Sequence, residues 1–98
     1  MNMSKVTVVA KVVAKKESVE SVRGELLRLI TPTRNEEGCI EYRMHQDNAD
    51  PAVFIFYENR ESESCLARHM QSDHFKRYVS AIVGMLEEKI VRRMTMIG

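Results

Sequence analysis

Residues 57–75 read YENRESESCLARHMQSDHF, and nowhere else in the chain do an acid, two histidines and a cysteine crowd together. Glu58 and Asn59 close the apolar run at 53–57, and His69 and His74 follow within sixteen residues of Glu58. A carboxylate beside an imidazole is the smallest set of side chains that moves protons at neutral pH. The imidazole titrates there, and the carboxylate decides which ring nitrogen carries the proton. The spacing therefore points to proton-transfer chemistry with His69 and Glu58 as the catalytic pair.

Each of these residues also has a structural reading. Glu58 at the end of a buried strand is either a base facing a pocket or half of an ion pair, with Arg43 across a hairpin as the partner. His69 follows Leu66 by three positions, which puts it beside the core-facing stripe of its helix. It is either a general base or a buried histidine satisfied by Glu58 or a backbone carbonyl. His74 comes just after Ser72-Asp73 and reads as a first-turn residue serving the helix end. His69 and His74 are five apart across an expected helix break, whereas two ligands on one helical face are spaced by three or four. His45 and Cys39 belong to another strand, so no metal site is expected. Phe75 and Tyr78 head the helix nearest the histidines and are the expected walls of any ring-binding pocket. Cys65 reads as a small buried residue.

The elements that must position this set follow from periodicity. Residues 5–15 are rich in β-branched residues and apolar on both alternation sets, as in a strand buried on both faces. Ser18 can cap a helix whose stripe is Val19, Val22, Leu26, Leu29 and Ile30. Thr31-Pro32 is expected to break or kink that helix, and Gly38 to stop the short turn that follows. Residues 39–47 alternate, and Asp47-Asn48-Ala49-Asp50-Pro51 is turn chemistry, so 39–47 and 52–59 form a hairpin. Ser62 caps a short helix through Met70. Ser72-Asp73 caps another, with the stripe Phe75, Tyr78, Val79, Ile82, Val83 and Leu86. A last strand covers about 89–97. The order β-α-β-β-α-β is the α+β ferredoxin-like split βαβ plan, a four-stranded antiparallel sheet with its helices on one face. The first and last strands are apolar on both sides, so the open sheet face is expected to pack against a second copy.

Composition narrows the function classes. Ninety-eight residues allow one domain, spanning 1–98, and 44% hydrophobic with 30% charged residues is the balance of a soluble globular protein. The net charge of +1 and scattered cations exclude a nucleic-acid-tracking face. No apolar run reaches the roughly 18 residues of a membrane span. Two cysteines without CxxC spacing fit a reduced, cytoplasmic protein.

The chain resembles the antibiotic biosynthesis monooxygenase (ABM) domain family, which includes quinol monooxygenases. The resemblance is carried by the Val-rich first strand, Thr31-Pro32-Thr33-Arg34, Glu37-Gly38-Cys39, Tyr42, His45-Gln46-Asp47 and Asp50-Pro51. It is carried most specifically by Tyr57-Glu58, Ser62, Leu66, His69 and Ser72-Asp73-His74-Phe75. Arg60 stands where family enzymes carry a Trp in E-x-W order, and Thr7, Val9 and Lys11 occupy the stretch where haem-degrading relatives place an Asn.

The resemblance implies a dimeric α/β-barrel and oxygenation of electron-rich aromatics such as quinols, without flavin, haem or metal. On that reading the partners are a quinol or polyphenolic substrate, O2 and a second copy. His69, oriented by Glu58, deprotonates a ring hydroxyl, Asn59 or Arg60 holds the oxyanion, and His74, Phe75 and Tyr78 complete the substrate site. Two other readings use the same residues. One is an isomerase of a small carbonyl compound, phosphorylated if Arg60 binds it. The other is a non-catalytic dimeric module that sequesters an aromatic ligand.

Overall fold

Alternating β-branched residues at the start of the chain leave little choice but a strand, and β1 runs over Val6–Ala14 with every second residue buried. In the computed structural model, which describes residues 5–98, there follow a 3-10 turn at Lys16–Ser18 and helix α1 at Val19–Arg34. The hairpin β2 (Cys39–Gln46) and β3 (Val53–Arg60) comes next, then α2 (Glu63–Met70), α3 (Asp73–Ala81) and β4 (Leu86–Met94). The four strands form one antiparallel sheet in the order β2-β3-β1-β4, the ferredoxin-like arrangement the sequence predicts.

Register assigns the side chains to faces. Val8 lies opposite Glu58, Ala10 opposite Phe56, and Val12 opposite Phe54. These residues point to the helices, where Val22, Leu26 and Leu29 of α1 and Tyr78 and Ile82 close the core over them. Burial of this set is the main driving term for the fold, at roughly 25 cal/mol per Å² of apolar surface. The odd-numbered residues of β1 and β3, among them Val9, Val13, Val53, Ile55 and Tyr57, form the opposite sheet face and are half-buried.

Several local expectations are corrected. Thr31-Pro32 does not break α1; the helix runs on to Arg34 with Pro32 inside it. Pro32 forfeits a single ladder bond near the helix end, and Asn35 N–H still reaches the Thr31 carbonyl at 3.1 Å. Ser18 stands at the N-cap but makes no side-chain cap bond, because the 3-10 turn leads directly into α1. Ser62 and Ser72 do cap, accepting from Cys65 N–H and Phe75 N–H. Of the stripe assigned to the last helix, Val79 and Val83 are exposed and Leu86 already belongs to β4. The chain leaves α3 through Gly84 at φ 78°, a conformation open to glycine, and β4 begins three residues earlier than the pattern suggests. Met96 and Ile97 lie beyond its end.

Gly38 is placed by a close approach. At φ 84°, a Cβ there would sit 2.2 Å from Cys65 Sγ. The loop 35–38 is thereby pressed against α2, which is how a surface loop reaches the interior. Gly38→Ala is expected to cost about 1–3 kcal/mol from the left-handed backbone and the clash together. A thermal melt reads this as a lowered Tm; an unchanged Tm would mean that the loop does not pack so closely.

Candidate active site

The polar centre of the molecule is an ion cluster built from four elements. Arg60, the last residue of β3, is 0% exposed, and on its strand only an inward position is available to it. Its Nη1 donates to Glu36 Oε1 at 2.5 Å, and its Nε donates to Glu58 Oε1 at 2.9 Å. Glu36 comes from the loop after α1 and accepts from both histidines as well. His69 Nδ1 lies 2.9 Å and His74 Nε2 2.5 Å from its Oε2. The helix break at Gln71-Ser72 makes this possible: Ser72 Oγ donates to the His69 carbonyl at 2.6 Å while capping α3, which turns His74 back toward α2.

Charge and burial set the protonation states. Burial acts to raise the Glu36 carboxyl, but hydrogen bonds from His69, Arg60 and His74 outweigh it and hold the group below the usual carboxylate range. Burial lowers His69, and although Glu36 works the other way, the net shift is downward, with the Arg60 charge adding to it. The His69 ring is therefore neutral at pH 7. With Nδ1–H given to Glu36, its Nε2 carries the lone pair. Arg60 is raised overall despite its burial, by Glu36 and Glu58.

Beside the cluster lies a cavity of about 440 Å³ between the helix-facing sheet surface, α2 and α3. His69 and Glu58 are the buried polar groups of its lining, and Val8, Phe56, Leu66 and Phe75 form apolar walls. Phe75 stacks obliquely on His69, with ring centroids 4.8 Å apart. Lys89 and Arg93 stand on the β4 side. A volume of this order suits a ligand of two or three fused rings.

The sequence-predicted residues divide. His69, Glu58 and Phe75 line the cavity together. Glu58 does not orient His69, however; Glu36 does, and Glu58 is bound to Arg60. Nor does Glu58 pair with Arg43, which lies opposite Tyr57 in the register, on the other sheet face, and bonds Glu41 at 2.6 Å. Asn59 is on that same outer face, accepting from Thr7 and donating to Glu41 and Tyr57, because strand alternation turns it away from its neighbour Glu58. Arg60 is consumed by two carboxylates and is not among the cavity-lining residues. His74 reaches Glu36, not the cavity. Tyr78 is core; burial pushes its hydroxyl up to about 12.

Glu36 escaped sequence reasoning because it sits in a turn with no periodicity to mark it; the glycine two residues later was the available signal. Glu36, His69 and His74 also place three potential donor atoms within 4.8 Å of one another, a grouping for which the sequence offered no third residue. The spacing of five proved no obstacle, since the two histidines sit on different helices.

A protein of this fold and site has known relatives. The sequence pattern of the antibiotic biosynthesis monooxygenase family matches residues 5–81, and the chain belongs to that family. The Mycobacterium tuberculosis protein Rv0793, whose name carries a provisional assignment as a monooxygenase, is 29% identical over 87 residues, covering 89% of this chain and 85% of that protein. PA3566 from Pseudomonas aeruginosa is 26% identical and superposes with a TM-score of 0.94, over 100% of this chain and 99% of that one. A crystal structure described as an antibiotic biosynthesis monooxygenase is 28% identical, with a TM-score of 0.88 over 95% of this chain and 99% of the other. Among the described residues, no helix is long and apolar enough to cross a membrane.

Proposed function

We propose that the protein is a cofactor-independent monooxygenase that oxidises a quinol or polyphenolic substrate with O2. The observation that carries this reading is the His69 ring, held at Nδ1 by Glu36 and lining an apolar cavity with Nε2 left to act as a base. Family membership and the provisional monooxygenase assignment of the M. tuberculosis relative support the same class.

The chemistry requires few protein groups. His69 Nε2 takes the proton of a ring hydroxyl, and the cavity keeps the phenolate from bulk water, which raises its tendency to donate an electron to O2. Radical recombination forms a carbon–oxygen bond at a ring carbon bearing hydrogen, and the proton held by His69 completes a hydroperoxide. Loss of water, taking that hydrogen and breaking the O–O bond, leaves a quinone carbonyl. The substrate supplies all four electrons, so no external reductant is needed. Glu58, neutralised by Arg60, bounds the ring pocket, and Phe75 offers a stacking surface. Arg60 already serves two carboxylates, which removes the basis for a phosphorylated substrate.

Oxygen-electrode measurements on metal-free protein with a panel of quinols and naphthols test the reading. Stoichiometric O2 uptake with quinone formation is expected. Turnover of a carbonyl substrate under strict anaerobiosis, or tight aromatic binding with no uptake from any compound, would refute it in favour of an isomerase or a sequestering module.

The working form on this reading is a cytoplasmic homodimer packed through the outer sheet face. Val9, Val13, Ile55, Tyr57 and Ile90 there are half-buried apolar residues on a surface that the helices leave uncovered. Light scattering is expected to give a dimer for the parent and a monomer for Ile55→Glu, because a carboxylate buried without a partner costs several kcal/mol. Equal masses for the two would contradict the sheet-to-sheet arrangement.

A further inference from the structure

We propose that Glu36, His69 and His74 form a binding site for a borderline divalent cation of the Zn2+ class, and that the ion inhibits the metal-free chemistry. The three residues come from a loop and two helices and converge on a single carboxylate oxygen. His69 Nδ1 is 2.9 Å and His74 Nε2 is 2.5 Å from Glu36 Oε2, with all donor atoms within 4.8 Å. Zinc binds imidazole nitrogen and carboxylate oxygen at about 2.0–2.2 Å, and a tetrahedral angle then separates neighbouring ligand atoms by about 3.4 Å. Movements of around 1 Å or less, within the swing of three side chains, convert the hydrogen-bonded triad into three ligands of one ion.

The surroundings fit such an ion. Arg60 holds Glu36 through Oε1, which leaves Oε2 for the cation and keeps the carboxylate oriented, the usual task of a residue behind a metal ligand. Two carboxylates, Glu36 and Glu58, share the single guanidinium of Arg60, so the cluster carries more acidic than permanently cationic side chains and favours an added cation. The same guanidinium limits affinity, so binding is reversible and not of the structural-zinc kind. The His74 side chain is 21% exposed, which admits the ion and a water to complete its coordination. Two nitrogen donors of three discriminate against Mg2+ and Ca2+.

Inhibition follows from tautomerism and rests on the monooxygenase reading. A metal on His69 Nδ1 displaces that proton to Nε2, so the nitrogen assigned as the base becomes a donor and can no longer take a proton from substrate.

The test uses chelator-treated full-length protein. Co2+ titration followed by visible absorption, and Zn2+ titration by calorimetry, are expected to show one ion per chain, with no Mg2+ heat. His74→Gln is expected to weaken binding about 100-fold, since losing even a residue behind a ligand costs 10- to 100-fold. Glu36→Gln, checked for folding by circular dichroism, is the second ligand variant. Absence of an intensified Co2+ band in the parent, or His74→Gln binding like the parent, overturns the site. Zn2+ bound without loss of quinol-dependent O2 uptake overturns the inhibition. Metal binding in a protein that oxidises no quinol upholds the site while removing the monooxygenase reading.

Discussion

His69→Gln is expected to lower the proposed quinol-dependent O2 uptake by about 10²–10⁴-fold, the range over which a positioned general base contributes. Glutamine fills part of the imidazole volume and its amide can still donate to Glu36, so the loss falls on proton transfer more than on the fold. Its amide has no basic nitrogen, and no other neutral base is at hand: Glu58 is held by Arg60, and His74 does not line the cavity. The expected signature is a fall in kcat with little change in KM, because on the proposed reading the ring sits against the apolar walls Val8, Phe56, Leu66 and Phe75, which the substitution leaves in place. A variant with a rate within about twofold of the parent would dismiss His69 as the base, since removing a true base costs at least the lower end of that range.

Arg60→Met destabilises the protein by about 3–5 kcal/mol, the cost of removing one member of a buried ion cluster. The side chain is 0% exposed and donates to both Glu36 and Glu58. Methionine matches the length but leaves buried Glu58 without its guanidinium partner and Glu36 with only its two histidine contacts. A loss of this size is a large part of the 5–15 kcal/mol that holds a typical domain folded. Denaturant unfolding should show a lower midpoint with an unchanged slope. A shift below about 1 kcal/mol would show that water or rearranged histidines replace the guanidinium, and that the cluster is far less rigid than its geometry implies.

These two residues show what could and could not be foreseen. His69 was legible because a helix imposes a period: three residues after Leu66, it had to lie beside the buried stripe. Arg60 was visible as a residue in an unusual place, yet its partners were not, because they come from its own strand and from a loop 24 residues earlier. Asn59 was assigned to the substrate although alternation from Glu58 already sends it to the opposite face. Arg43 likewise could be excluded only with the register, which places it across from Tyr57.

What the sequence determined by itself was the order of elements, the hairpin, the caps at Ser62 and Ser72 and the ferredoxin-like plan. All of these depend on local periodicity or on bonds within four residues. Tertiary structure alone decided which charged groups meet around His69. Glu36 orients His69 because Gly38 adopts a backbone that lets its loop press on Cys65, and His74 joins them because a helix break turns it inward. Those contacts span 33 and 38 positions of chain, and no local pattern records a distance that exists only after the core has closed.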